Sequence, residues 1–271
     1  MHRPLILVLA AIAALVLAAP ASAKEYTATS GHVTATFSYD PAGDFEYWDL
    51  RLAVDRAGAR VFDAPLDIGS CEEPYCMPGG EFADDGGIKV RDLDADGEPE
   101  VIADVFTGGA HCCVASEILR WNGTGYAVQE RNWADVGYTL KDTDGDGTPE
   151  FKTADTRFAY AFSSFADSRF PIRILSYRAG VFDDVTRANR PLIRKDAKRL
   201  KREYRRRRGD GYSLGVLAAW TADQYLLGNR RTANRYLRAE NRAGMLRGDA
   251  ISKSGSAYIR RLKKRLARWG Y

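Results

Sequence analysis

The sequence predicts a mainly β protein that ends in a C-terminal α-helical bundle. Polar and apolar residues alternate through much of residues 24–186, which is typical of strands with one buried face. Two acidic loops in this region each run directly into a strand-like segment. After residue 186 the apolar residues recur at helical spacing among many Lys and Arg residues. These three observations together favour strands first and helices last.

The N-terminus is predicted to be a signal peptide that covers residues 1–23. His2 and Arg3 precede an apolar run, and the sequence Pro-Ala-Ser-Ala at residues 20–23 supplies a cleavage site. The run is short for a membrane span, and no later stretch is long and apolar enough to cross a bilayer. We expect the mature chain to begin near Lys24 and to be secreted or associated with the cell envelope. An uncleaved membrane anchor is the alternative.

Strands are predicted throughout the part that follows, as far as residue 186. The alternating or β-branched segments that indicate them are 26–29, 32–39, 45–52, 101–105 and 151–154. Phe158, Tyr160 and Phe162 also alternate, which predicts one further strand with its aromatic side chains on one face. Core packing is the favoured interpretation of these rings, and a platform that stacks on sugars is the alternative.

The two acidic loops share one nine-residue signature. Residues 92–100 read DLDADGEPE and residues 142–150 read DTDGDGTPE, so both match D-x-D-x-D-G-x-P-E. Carboxylates at positions 1, 3, 5 and 9 and the carbonyl of position 7 can converge on one point, and Gly at position 6 permits a sharp turn. Such an oxygen set suits Ca²⁺, and without a cation the like charges would repel strongly. The sequence therefore predicts two Ca²⁺ ions per chain.

The loops are not EF-hands. An EF-hand has a bidentate Glu at position 12 and flanking helices, whereas position 12 is Ala103 in one loop and Thr153 in the other. The loops instead resemble the calcium loops of FG-GAP/VCBS repeats, which form the blades of integrin-α-like β-propellers. This resemblance covers about residues 88–186 and implies blade-like antiparallel sheets. Residues 24–186 provide about three blades, so we expect a partial β-propeller-like assembly, because closed propellers usually need four or more.

The resemblance also implies which residues bind the metal. Side chains at loop positions 1, 3, 5 and 9 and the backbone carbonyl at position 7 would be the ligands. These residues are Asp92, Asp94, Asp96, Glu98, Glu100, Asp142, Asp144, Asp146, Thr148 and Glu150. Position 9 departs from the family pattern, since Glu stands there in place of the commoner Asp. The longer side chain is expected to loosen each site.

Four cysteines fit the oxidising compartment that a signal peptide implies. They are Cys71, Cys76, Cys112 and Cys113. Three pairings are possible. We favour pairing across the two groups, because ordinary disulfide geometry suits separated residues better than the neighbours Cys112 and Cys113. The alternative function for the second group is a metal or redox site formed with His111.

Charge divides the chain near residues 186–191. Residues 24–186 hold 14 Lys and Arg against 30 Asp and Glu, whereas residues 187–271 hold 25 against 6. We therefore predict an acidic β domain at 24–186 and a basic helical domain at 187–271. Pro191 can open the first helix, Ser213 can cap a second, and Gly228 separates this from a third. The last helix is expected to follow Ser254.

The basic helices are predicted to contact an anionic partner. Phosphate-rich envelope polymers or lipid head groups suit such a charge density, and nucleic acid is disfavoured for an exported protein. The candidate contact residues are Lys198, Lys201, Arg202, Arg205, Arg261 and Lys264. Two alternatives remain: the basic helices dock on the protein's own acidic domain, or they present a solvated face.

No catalytic constellation is present in the sequence. The G-x-S-x-G, H-E-x-x-H and phosphate-binding glycine-loop patterns are all missing. The leading hypothesis is a secreted calcium-binding module for binding or adhesion that is not an enzyme. The alternatives are a structural component of the cell envelope and a metal-assisted hydrolase. A hydrolase is disfavoured because a Ca²⁺ ion held entirely by the protein leaves no open position for a substrate.

Overall fold

The computed structural model describes residues 23–79, 86–109, 113–246 and 254–271, and the predicted signal peptide lies outside them. Within this part, thirteen strands form three antiparallel sheets and four α-helices follow them. The prediction of a mainly β protein with antiparallel sheets and C-terminal helices is therefore confirmed. None of the helices in these ranges has the length and apolar character that a bilayer crossing requires.

The first sheet is a four-stranded meander. Its strands are β1 (Lys24–Ser30), β2 (Val33–Gly43), β3 (Glu46–Arg56) and β4 (Ala59–Pro65), and they pair in chain order. Residues 33, 35, 37 and 39 of β2 are buried, and the residues between them are only partly buried. This alternation is what a sheet with one covered face requires.

The second sheet is built around one strand that is buried on both faces. Its strands are β5 (Met77–Pro78), β6 (Ile88–Arg91), β7 (Glu100–Phe106), β8 (Val114–Trp121) and β9 (Tyr126–Ala134). β7 pairs with β5, β6 and β8, and β9 pairs with β8. All residues of β7 from Glu100 to Val105 are buried.

The third sheet repeats the simple meander. Its strands are β10 (Thr139–Lys141), β11 (Glu150–Ala154), β12 (Ile172–Arg178) and β13 (Val181–Asp184), again paired in chain order. The two acidic loops therefore occupy equivalent places, one between β6 and β7 and the other between β10 and β11. Among the described residues, each sheet is open and no strand closes a barrel or a ring of sheets.

The second sheet lies between the other two. On one face, Val101 and Ala103 of β7 share an apolar core with Phe37 and Leu52 of the first sheet. On the opposite face, Ile102 shares a core with Phe151, Leu175 and Tyr177 of the third sheet. Because successive residues of a strand point to opposite faces, β7 and β8 contribute side chains to both cores.

The helices follow the last strand and pack on the end of the third sheet. They are α1 (Arg190–Arg206), α2 (Leu214–Leu226), α3 (Arg230–Arg242) and α4 (Gly255–Arg268). α2 is buried around almost its whole circumference. The core of the helices also includes Phe158, Phe162 and Ile174 from the strand-rich part. The change from strands to helices therefore does not separate two independent cores.

The prediction of a strand with Phe158, Tyr160 and Phe162 on one face is wrong. Residues 156–158 form a short 3-10 turn, and no strand covers residues 155–171. Phe158 and Phe162 are buried beneath the helices, with the Phe158 ring 4.9 Å from the ring of Trp269, whereas Tyr160 is 56 % exposed. Packing against α4 decides this segment, and tertiary contacts of that kind are not visible in local alternation.

The cysteine pairing that we favoured is also wrong. A disulfide joins Cys71 to Cys76, with their Cα atoms 5.3 Å apart, which lies within the usual range. Cys113 is disulfide-bonded as well. His111 and Cys112, which the alternative metal or redox site needs, lie outside the described residues. A turn at Glu73 and Pro74 lies between the two cysteines, so a short stretch of chain is enough to bring them together.

Candidate metal centre

Equivalent hydrogen bonds shape the first half of each acidic loop. Gly97 and Gly147, both at position 6, adopt a left-handed backbone conformation that favours glycine. Their N–H groups donate to Oδ2 of the position 1 aspartates, Asp92 and Asp142, at 3.0 Å in both loops. The position 1 side chain is therefore folded back over the turn in the same way twice.

The second half of each loop is also alike. The N–H groups of Glu98 and Thr148 donate to the position 5 aspartates, Asp96 and Asp146, at 2.8 Å in both loops. The position 9 glutamates are also held alike, each by the N–H group of position 2 in its own loop. Oε2 of Glu100 accepts from the N–H of Leu93 at 2.9 Å, and Oε2 of Glu150 accepts from the N–H of Thr143 at 2.8 Å. Both position 9 side chains are almost fully buried.

Six of the ten predicted ligands come together as two groups of three. In each loop, one carboxylate oxygen from each aspartate at positions 1, 3 and 5 lies within 4.8 Å of the other two. The position 9 glutamates belong to neither group and reach their loops through the hydrogen bonds to position 2. At position 7, the Glu98 side chain forms an ion pair with Arg56 at 2.7 Å. Thr148 is buried, and its hydroxyl donates a hydrogen bond to Asp146.

The first loop contains buried carboxylate oxygens that lack a hydrogen-bond donor. Among the described residues, Oδ1 of Asp94 and Oε1 of Glu100 have no hydrogen-bond partner. Burial raises the pKa of Glu100 to about 8, and the charges of Asp94 and Asp96 add to this effect. Buried oxygens without donors destabilise a fold, and a divalent cation would satisfy them. The residues of the first loop therefore fit a bound Ca²⁺ ion.

An arginine that our sequence analysis missed lies among these carboxylates. Arg120 donates to Asp96 at 2.7 Å, and its Nε lies 3.5 Å from Asp94 and 3.6 Å from Glu100. Leu119 on β8 pairs with Val101 on β7, which places the next residue, Arg120, beside Glu100. Only the register of these two strands reveals this neighbour.

An arginine on the following strand also contacts the second loop. Arg178, at the end of β12, donates to Asp146 at 3.1 Å, and both side chains are about half exposed. Hydrogen bonds from Thr148, followed by the contact with Arg178, lower the pKa of Asp146. Arg120 lies opposite Glu100, whereas Arg178 comes two residues after the position opposite Glu150, so the two arginines reach their loops from different register positions. The second loop is the more open of the two.

The structure places the predicted contact residues for an anionic partner on two helices. Lys198, Lys201, Arg202 and Arg205 lie on α1, and Arg261 and Lys264 lie on α4. Arg261 donates to the carbonyl of Ala161 in the strand-rich part. Within the described ranges, the four α1 residues and Lys264 form no ion pair with any acidic side chain, whereas Arg207, directly after α1, pairs with Asp167 of the acidic part.

Comparison with known proteins gives two relatives. The chain is 30 % identical over 213 residues to a probable thylakoid lumen protein of Synechocystis, which covers 73 % of this chain and 58 % of that protein. It is 37 % identical over 97 residues to an uncharacterised protein of Sinorhizobium fredii, which covers 34 % of this chain and 15 % of that protein. The chain thus spans little more than half of the first relative. No family model and no solved structure matches the chain.

Proposed function

We propose that this protein is an exported calcium-binding module that holds one Ca²⁺ ion in each acidic loop. The proposal rests on one observation: two loops with the same signature share the same hydrogen bonds at positions 1, 5 and 9. The first loop adds buried, donor-free oxygens on Asp94 and Glu100. When bound, the ion supplies the positive charge that these side chains need, and the protein fixes their directions.

The arrangement of the sheets supports a blade-like interpretation. Each sheet is formed by strands that are close in sequence, and the second sheet packs between the other two. The acidic loops join corresponding strands of the second and third sheets. This is the placement that the resemblance to FG-GAP/VCBS repeats implies, so we propose that these two sheets are calcium-loop blades and that the first is a degenerate one.

Two observations support a location outside the cytoplasm. The first relative is named as a probable thylakoid lumen protein, and the chain has the disulfide between Cys71 and Cys76. Disulfides form and persist mainly in exported proteins. Extracellular calcium is abundant, so sites of modest affinity would be occupied there. We propose that the protein acts in an extracellular or envelope compartment.

The role of the module is proposed to be binding or adhesion through the basic helices. Lys198, Arg202 and Arg205 are exposed, and no acidic side chain of the described chain engages them. This favours contact with an external anionic polymer of the envelope over docking on the protein's own acidic residues. Attraction between such charges weakens as salt rises, because screening shortens to about 8 Å at physiological ionic strength.

Isothermal titration of chelator-treated protein with Ca²⁺ tests the proposal. We expect two ions per chain and a higher melting temperature, because a ligand that binds only the folded state stabilises it. Asp94→Asn and Asp144→Asn should each remove one ion, and the double variant both. Asp183→Asn, which neutralises an exposed aspartate outside the loops, is the matched control. No binding by the wild type, or two ions in the double variant, would contradict the proposal.

A further inference from the structure

A cleft of about 670 Å³ lies between α1 and α2. Trp220 on α2 and Leu227, directly after the end of α2, give it an apolar wall. Every charged side chain that lines it is positive and comes from α1. These residues are Arg190, Arg194, Lys198, Lys201, Arg202 and Arg205. A cleft of this size can hold a small molecule, which a flat charged surface cannot.

The basic residues on α1 and directly after it differ in their partners. Arg199, Arg207 and Arg208 form ion pairs with Asp196, Asp167 and Glu240, respectively. Among the described residues, the cleft residues Arg194, Lys198, Arg202 and Arg205 have neither an ion pair nor a side-chain hydrogen bond. Like charges three or four residues apart on a helix repel each other. The cleft face of α1 therefore carries four cationic side chains that no acidic side chain of the described chain compensates.

Lys201 is the most unusual member of the cleft. Its Nζ atom is buried, has no hydrogen-bond acceptor in the described chain, and lies 2.7 Å from the centre of the Tyr236 ring and 4.0 Å from the centre of the Trp220 ring. Burial, followed by the charge of Arg205, lowers the pKa of Lys201 to about 7. The two rings offset part of the cost of burying this ammonium group. A rotation of the Lys201 side chain toward the cleft would let a bound anion act as its hydrogen-bond acceptor.

We propose that this cleft is a binding site for a ligand that carries phosphate groups, with Lys201 at its floor and Lys198 and Arg202 beside it. A phosphate group offers up to two negative charges and several acceptor oxygens, which suits a cluster of Arg and Lys better than a single carboxylate does. The inference rests on the anionic contact of the proposed function and gives it a definite site. The phosphate could belong to a polymer or to a small organic molecule.

The test is isothermal titration calorimetry of the full-length mature protein, loaded with calcium and then freed of excess calcium so that phosphate does not precipitate. Inorganic phosphate and adenosine 5′-monophosphate are the probes. We expect the wild type to bind, and Lys198→Gln with Arg202→Gln to weaken binding at least tenfold. Equal affinity for both probes assigns the site to the phosphate group alone, as in a polymer. Tighter binding of the nucleotide assigns it to an organic phosphate that also contacts the apolar wall.

The matched control is Arg260→Gln with Arg268→Gln, which removes the same charge from exposed positions on α4 that are not among the candidate contact residues. We expect this variant to bind phosphate as the wild type does. Lys201→Met, which keeps the length of the side chain, should remain folded and lose affinity. Calcium titration of each variant should be unchanged, which separates this inference from the calcium proposal.

Two results would overturn the inference. One is the absence of binding by the wild type, and the other is equal affinity in the wild type and the α1 double variant. If the α4 variant loses as much affinity as the α1 variant, the anionic contact is spread over the basic surface. That result would retain the proposed contact with an anionic polymer and reject the cleft as its site.

Discussion

Arg120 donates a hydrogen bond to Asp96 at 2.7 Å, so that a guanidinium group lies inside the first acidic loop. Its Nε also lies 3.5 Å from Asp94 and 3.6 Å from the buried Glu100. The loop therefore carries an internal positive charge where a calcium ion would be attracted. When calcium is absent, the Arg120 charge reduces the repulsion between the carboxylates. When calcium binds, the same charge repels the ion and so weakens its binding.

Arg120→Gln is expected to destabilise the calcium-free protein and to strengthen calcium binding at the first loop. Without calcium the variant should unfold at a lower temperature, because the carboxylates lose their compensating charge. Calcium should bind the first loop at least about tenfold more tightly, since the loss of one nearby positive charge is worth more than about 1.4 kcal/mol. Thermal unfolding in chelator and calcium titration measure the two effects. Arg178→Gln, at the more open second loop, is the control and should change the unfolding temperature and the calcium affinity less. Weaker calcium binding by Arg120→Gln would contradict the expectation.

The buried carboxyl of Glu100 predicts how stability depends on pH in the absence of calcium. Burial raises its pKa in the folded protein from 4.5 to about 8, so between these values the folded state holds a proton that the unfolded chain has released. The free energy of unfolding should therefore fall as pH rises from about 5 to 8, by up to roughly 4 kcal/mol.

Denaturant titrations in chelator at several pH values measure this effect, and Glu100→Gln is the control. Other groups also titrate, since burial raises the pKa of Asp223 well above its usual value. The difference between the wild type and Glu100→Gln isolates the contribution of Glu100. The same pH slope in both proteins would show that Glu100 is ionised throughout.

The disulfide between Cys71 and Cys76 predicts a peptide map. Trypsin cleaves after Lys89 and Arg91, which separates these two cysteines from Cys113. Digestion of unreduced protein should release residues 61–89 with an internal disulfide, and a peptide joined to residues beyond 91 would exclude this pairing. Cys71→Ala with Cys76→Ala should lower the free energy of unfolding by about 2 kcal/mol, because the closed loop is short.

The C-terminal tyrosine is expected to hold the helices to the strand-rich part. The Tyr271 hydroxyl donates to the buried Asp155 at 2.7 Å across 116 residues of chain. Tyr271→Phe should lower the free energy of unfolding by about 1–3 kcal/mol, because the carboxylate loses one of its donors in a buried place. Tyr212→Phe is the control, since Tyr212 is 62 % exposed. Equal stability of the two variants in denaturant would show that the contact contributes nothing.

Phosphate binding in the α1 cleft should be accompanied by proton uptake. At pH 8 most Lys201 side chains are neutral, since their pKa is about 7, whereas a phosphate monoester is already fully ionised. The positive charges of Arg205 and Arg208 lower the pKa of Lys201, and the negative charge of Glu240 raises it. A bound anion should also raise this pKa, so that Lys201 takes up a proton when the anion binds. Titrations with adenosine 5′-monophosphate in two buffers of different ionisation heat measure the uptake. Lys201→Met should bind without it; uptake that persists in this variant would assign the proton to another group.

The sequence alone identified the two acidic loops, the mainly β character of the first part and the helices of the second. These features are local. The loop signature contains its own turn residues and hydrogen-bonding partners, since Gly97 and Gly147 donate to the position 1 aspartates of their own loops. Helical spacing of apolar residues likewise reports on one element at a time.

The tertiary structure decided what depends on residues far apart in the chain. Strand register places Arg120 beside Glu100, and packing against Trp269 buries Phe158 beneath the helices. The same packing leaves Lys201 over Trp220 and the basic face of α1 open beside it. Contacts of this kind arise only when sheets and helices meet, because a local pattern records which face of an element is apolar and not which surface covers it.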